Sequence, residues 1–153
     1  MDRVLARGGS AEVWLAWHPD RPGPAAIKRA GERHRGPGSA PDLRHEAEVL
    51  ARVRHRGVVA LIDVVDDPPG VALVLDHLAG GPLRDLLAER GTLAPGELVA
   101  VLEPVAAACA ALARAGMVHG DLKPDHVGFT DAGVPVLVDL GSASAIGSVH
   151  RSG

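Results

Sequence analysis

The chain changes character once, at Gly80-Gly81-Pro82, and that single change limits the folds open to it. Short apolar, β-branched segments separated by turn residues come before it, and helical periodicity comes after. Strand-rich sequence followed by helix-rich sequence, without regular alternation, points to an α+β fold in which the two kinds of element are segregated. Val4-Leu5 and Val13-Trp14-Leu15-Ala16 flank the small-residue turn from Ala6 to Ala11 and read as two paired strands, with a third at Ala25 to Lys28. After a Gly/Pro-rich loop from Gly31 to Pro41, Leu43, Ala47, Leu50 and Val53 recur at helical spacing and predict one amphipathic helix. Val58 to Val65 and Val71 to Leu75 read as a strand pair about the turn Asp66-Asp67-Pro68-Pro69-Gly70.

Beyond Gly81, Leu83 to Arg90 predicts a short helix stopped by Gly91. Pro95 opens a longer helix to about Ala115, which Pro104 is expected to kink. Two short strands, Val127 to Phe129 and Val134 to Val138, follow the polar loop from His119 to Asp125. The boundary falls between Leu75 and Gly81, giving a mainly β unit at 1–78 and a mainly α unit at 79–153.

With 46% hydrophobic and 23% charged residues, the 153-residue chain has the composition of a globular protein. A net charge of −3 supplies none of the general phosphate attraction on which nucleic-acid binders depend, so nucleic acid is not expected as a partner. Cys109 is the only cysteine, which excludes an intrachain disulfide and fits a reducing, cytoplasmic setting. Met1 is followed by Asp2 and Arg3, which is not the pattern of a secretory signal. Leu98 to Val118 is apolar, but it carries Glu103, Pro104 and Arg114, so a buried helix is expected there and no membrane segment.

Only two of the sixteen basic residues are lysines, Lys28 and Lys123. Arginine's planar fork cannot replace a compact ammonium where a single phosphate oxygen is met as a point charge, so these two positions need lysine.

The turn Ala6 to Ala11 and Lys28 are weak signals alone, since plain hairpins carry both. Their order is what counts: small-residue turn, Ala25-Ala26-Ile27-Lys28, a helix bearing Glu46, His119-Gly120-Asp121-Leu122-Lys123-Pro124, then Asp139-Leu140-Gly141. Through these motifs nearly the whole chain resembles bacterial serine/threonine protein kinases of the eukaryotic-like type. The resemblance implies a two-lobed protein-kinase-like fold. Its antiparallel N-terminal sheet carries one helix, and a partial, mainly helical C-terminal lobe ends just after Asp-Leu-Gly.

It also implies ATP and Mg²⁺, with Mn²⁺ as an alternative, and a protein hydroxyl as acceptor. Lys28 would hold the α- and β-phosphates with Glu46 as its ion-pair partner, while Glu48 is assigned to solvent. Leu5, Ala6, Arg7, Gly8, Gly9, Ser10 and Ala11 would form the phosphate-covering turn. Val13 and Ala26 would roof the adenine ring, Leu75 would be the gatekeeper, and Asp76-His77-Leu78 the hinge. Asp121 would accept or orient the substrate hydroxyl, Lys123 would neutralise the transferring group, and Asp139 would bind the metal, a hard cation suited to carboxylate oxygen. Leu50, Leu61, His119 and Leu140 match the family's internal hydrophobic column.

The chain also departs from the family pattern. Ala6 and Ala11 stand at two glycine positions, and Gly120 replaces an arginine, so control by a phosphorylated loop is not expected. His126 stands where the family places an asparagine for a second metal ion, and Gly128 where a leucine usually floors the adenine site, which implies low nucleotide affinity. Gly153 lies twelve residues past Gly141, so a truncated kinase is expected whose long helix exposes an apolar face to a partner or a second copy. A pseudokinase or nucleotide-binding module is the alternative reading, and an antibiotic-type phosphotransferase, suggested by His119-Gly120-Asp121 and His126, is a further one.

Overall fold

A computed structural model describes residues 3–7, 11–17, 21–31, 40–67 and 70–147. The first half is a five-stranded antiparallel sheet of β1 (Arg3–Arg7), β2 (Ala11–Ala16), β3 (Ala25–Ala30), β4 (Leu61–Asp67) and β5 (Gly70–Asp76), in the order β1-β2-β3-β5-β4. One helix, α1 (Ala40–Arg52), packs against β3, β4 and β5. Leu43, Val49 and Leu50 are buried on α1 and Val53 just beyond its end, whereas Ala47, read from the sequence with Leu43, Leu50 and Val53, is half-buried. β3 sits centrally, with Lys28 opposite Val13 on β2 and Leu73 on β5.

Helices α2 (Leu83–Arg90) and α3 (Pro95–Arg114) follow, then β6 (Met117–Val118), a 3₁₀ turn at Pro124–His126, β7 (Val127–Phe129), β8 (Pro135–Leu137) and β9 (Ser144–Ala145). Gly91 ends α2 at φ 76°, and its N–H donates to the Leu87 carbonyl at 2.8 Å. β7 pairs with β8, and β6 with β9. This is the two-lobed arrangement of the resemblance: a sheet with one helix, then a mainly helical part.

Two expectations need correction. The strand expected from Val58 begins only at Leu61, because Val58 instead forms a parallel bridge to Leu137, and the Val59 N–H donates to the Leu137 carbonyl at 2.9 Å. These residues tie the sheet half to β8. Asp66 and Asp67, expected in a turn, still belong to β4, and Gly70 already belongs to β5; Pro68 and Pro69 lie outside the described residues. The long helix is buried on one face and, as expected, exposes apolar residues on the other. Val101, Val105, Ala108 and Leu112 are buried, whereas Val99 is 61% and Leu102 52% exposed. By length and composition α3 is the one helix among the described residues apolar enough to cross a membrane, but its inner face belongs to the protein core.

That core is continuous. Leu50, Val53, Leu73 and Leu75 from the sheet half pack in one cluster with Leu112, Val127, Leu137 and Leu140 from the helical half. Gly57 lets the chain after α1 lie directly on α3, since a Cβ there would meet the Ala108 Cβ at 3.1 Å and the Pro104 carbonyl at 3.2 Å. Pro104 lies inside α3, which runs unbroken through it.

Candidate active site

Lys28 leaves the middle of β3 and is only 7% exposed, and Glu46 on α1 is 1% exposed. Charges buried this deeply require partners. Lys28 Nζ donates to Glu46 Oε2 at 2.6 Å and to Asp139 Oδ1 at 2.9 Å. The Leu140 N–H donates to the other Glu46 oxygen, Oε1, at 3.2 Å. Both carboxylate oxygens therefore receive donors, which leaves no acceptor for a carboxyl proton and fits an ionised Glu46.

Burial pulls the Lys28 ammonium toward lower pKa, but Glu46 and Asp139 outweigh it and hold it above its ordinary value. Burial pushes the Glu46 carboxyl up, and Lys28 counters that only in part. For Asp139 burial pulls upward as well, yet Lys28 wins and the carboxyl sits below its ordinary value. Asp139 is also the only described non-glycine residue at positive φ, 60°. Its backbone turns sharply where the motif Asp-Leu-Gly begins.

From Asp139 the line of contacts continues. His126 Nε2 lies 3.3 Å from Asp139 Oδ2, and His126 Nδ1 lies 2.7 Å from the Asp121 carbonyl. Lys123 Nζ donates to Asp121 Oδ2 at 2.6 Å, holding the Asp121 carboxyl below its ordinary value. Glu46, Lys28, Asp139, His126, Asp121 and Lys123, spread over more than a hundred residues of sequence, thus form one connected line. Every catalytic and metal candidate named from the sequence lies on it. His119 is buried beside that line, its ring stacked 5.9 Å from His126, and burial lowers its pKa.

The described nucleotide candidates lie on β1, β2, β3 and β5 and on the segment after β5. Ala26 faces Leu75 across β3 and β5, and both are buried. Val13 and Leu5 pack half-buried against the core, while Ala6 and Arg7 are exposed at the end of β1 and Ala11 opens β2. Gly8, Gly9 and Ser10 lie outside the described residues. The Asp76 side chain accepts from Arg21 Nη2 at 2.7 Å. Leu78 Cδ1 lies 2.6 Å from where a Cβ on Gly128 would be, so the space left by the glycine is filled by this leucine.

Among the described residues no group of three or more His, Cys, Asp or Glu side chains is arranged to hold a metal ion. Asp139 suits Mg²⁺, which is commonly held by one or two carboxylates together with phosphate oxygens and water. His126 is the softer ligand for a hard cation, and its ring nitrogens face the Asp121 carbonyl and Asp139 Oδ2. Two features escaped the sequence: the packing of Leu78 into the Gly128 space, and His45, whose Nε2 donates to the Ala143 carbonyl at 2.6 Å. Neither belongs to a motif, and only the spatial neighbour reveals the role.

The chain belongs to the protein kinase family: the family model described as "Protein kinase domain" matches residues 1–151. Among named relatives it is similar to serine/threonine-protein kinase PknL of Mycobacterium tuberculosis, 37% identical over 143 residues that cover 93% of this chain and 36% of PknL. It is also similar to serine/threonine-protein kinase PkaB of Streptomyces coelicolor, 34% identical over 168 residues, with 98% of this chain and 38% of PkaB covered. With serine/threonine-protein kinase pkn2 of Myxococcus xanthus it shares 30% identity over 159 residues, 96% of this chain and 19% of pkn2. The chain thus spans between about a fifth and two fifths of the length of these relatives.

Proposed function

We propose that this chain is the nucleotide-binding and catalytic-loop portion of a serine/threonine protein kinase, moving the γ-phosphoryl group of ATP to a protein hydroxyl. The observation that carries this reading is the unbroken line from Glu46 through Lys28, Asp139, His126 and Asp121 to Lys123. It places two lysines and three carboxylates on one path, as phosphoryl transfer needs for positioning and charge neutralisation. The names of the relatives support the serine/threonine assignment.

In this reading Lys28 meets the α- and β-phosphates, steered by Glu46, and Leu75, Asp76 and Leu78 border the base with Val13 and Ala26. The turn Leu5 to Ala11 covers the phosphates. Asp121 orients the acceptor hydroxyl and takes its proton, and its lowered pKa keeps it ionised at neutral pH. Lys123 lies within reach of the transferring group. Asp139 would hold Mg²⁺, which when bound would supply neutralisation of phosphate charge. His126 holds Asp139 and the Asp121 backbone in register and stands in place of a second metal ligand. Residues 1–78 form the nucleotide-binding lobe and 79–153 the partial catalytic one, and the single Cys109 supports a cytoplasmic setting.

One observation favours a second reading, a nucleotide-binding module without turnover: His126 is engaged on both sides by this chain. The two separate in a transfer assay with γ-labelled ATP, Mg²⁺ and a generic protein acceptor. Label transfer that falls at least about a hundredfold in Asp121→Asn supports the kinase. ATP binding with no transfer above the Asp121→Asn background supports the module and sinks the kinase reading.

A further inference from the structure

The residues after Asp139 are gripped from two sides. On one side α1 makes two contacts from adjacent residues: Glu46 Oε1 accepts the Leu140 N–H at 3.2 Å, and His45 Nε2 donates to the Ala143 carbonyl at 2.6 Å. On the other side β9 pairs with β6, Met117 opposite Ala145 and Val118 opposite Ser144, and the Ile146 N–H reaches the Gly116 carbonyl at 2.8 Å. Gly120 closes this side. It sits at φ 82°, and a Cβ there would overlap the Ser142 carbonyl oxygen, so the backbone of Ser142 passes as near as glycine alone allows. Ala143, between the two grips, is buried, and its N–H turns back to the Leu140 carbonyl at 3.0 Å.

The contact at Ala143 has a direction. A carbonyl oxygen only accepts, so His45 Nε2 carries the hydrogen. His45 precedes Glu46 directly, and the two side chains reach points three residues apart on the same short segment. Rotating or sliding α1 enough to withdraw Glu46 from Lys28 would also have to break the His45 bond. Releasing Ala143 would likewise free α1 to move.

We propose that His45 is a positioning residue, a tether from α1 to the Ala143 carbonyl that holds Glu46 against Lys28, with Gly120 as the seat on which the tethered segment rests. The tether is built of neutral backbone and one imidazole N–H and needs no added phosphate charge to hold. It rests on the proposed nucleotide-binding role of Lys28, and its test separates the two.

Two substitutions split the donor from the ring. His45→Phe keeps a ring of similar size and removes the N–H, whereas His45→Gln removes the ring and places an amide donor near the position of Nε2. Backbone hydrogen exchange over residues 140–146 is read first, without nucleotide. Exchange there rises at least about tenfold in His45→Phe and stays within about threefold of wild type in His45→Gln, because the local opening loses one bond only in the first. ATP affinity, read second, falls about fivefold in His45→Phe and is retained in His45→Gln. Equal protection in His45→Phe and wild type, or equal loss in both variants, overturns the tether. If wild type binds no ATP, the nucleotide reading fails, and the exchange comparison still decides the tether. Gly120→Ala gives the opposite face its own check: it raises exchange over 140–146 if Ser142 rests on residue 120, and unchanged protection overturns the seat.

Discussion

Removing Lys28 while leaving Glu46 in place is the perturbation whose cost the structure sets most firmly. Glu46 is 1% exposed and accepts from Lys28 at 2.6 Å, so Lys28→Met leaves a buried carboxylate with the Leu140 N–H at 3.2 Å as its remaining donor. Breaking a buried pair from one side costs about 3–5 kcal/mol, because an uncompensated charge stays behind. The second partner of Lys28, Asp139, has a side chain 42% exposed, so its loss adds about 1 kcal/mol or less. For a chain of this length such a loss lowers the melting temperature by roughly 10 °C.

The double variant Lys28→Met/Glu46→Gln removes the charge yet keeps an amide oxygen for the Leu140 N–H. It is therefore less destabilised than Lys28→Met, by about 2 kcal/mol. Urea unfolding of wild type, both singles and the double gives the coupling directly. A cost for Lys28→Met below about 1 kcal/mol, or a double variant at least as unstable as the sum of the singles, would refute the claim that this pair is buried and mutually dependent.

Gly128→Leu overpacks against Leu78 and costs about 1–3 kcal/mol, while Leu78→Ala in the same chain recovers most of it, as thermal unfolding will show. Val99→Gln and Leu102→Gln, on the exposed face of α3, change stability by less than about 0.5 kcal/mol, whereas Val105→Ala on its buried face costs more than about 1 kcal/mol. Burial holds the pKa of His119 below its ordinary 6.5, so the unfolded chain takes up the proton first as pH falls. The stability from neutral His119 is thus complete above the ordinary value and declines below it, by at most about 1.4 kcal/mol per pH unit, and His119→Asn flattens that slope.

The segregation of strand from helix was legible because turn residues and apolar periodicity mark it locally, and α2 begins and ends where Leu83 and Arg90 suggested. The line of charges was legible for a different reason: a chain that uses arginine almost everywhere retains lysine at 28 and 123. Val58 misled because a β-branched run looks the same whether it pairs within the sheet or bridges to Leu137. The two-residue strands β6 and β9 are too short to carry a period, and they pair across more than twenty residues. Gly128 read as a loss because sequence cannot show that Leu78 fills its space. Likewise, His45 belongs to no motif, and only the fold brings it beside the Ala143 carbonyl.

The central claim is that Glu46, Lys28, Asp139, His126, Asp121 and Lys123 form one nucleotide-handling site, and the melting temperature with ATP and Mg²⁺ tests it most directly. At about a hundredfold excess over the dissociation constant, binding to the folded chain adds about 2.7 kcal/mol, raising the transition by several degrees. Wild type gives this rise, and Lys28→Met and Asp139→Asn, each measured against its own unliganded melt, give none. No rise in wild type at millimolar ATP, or an equal rise in all three proteins, would contradict it.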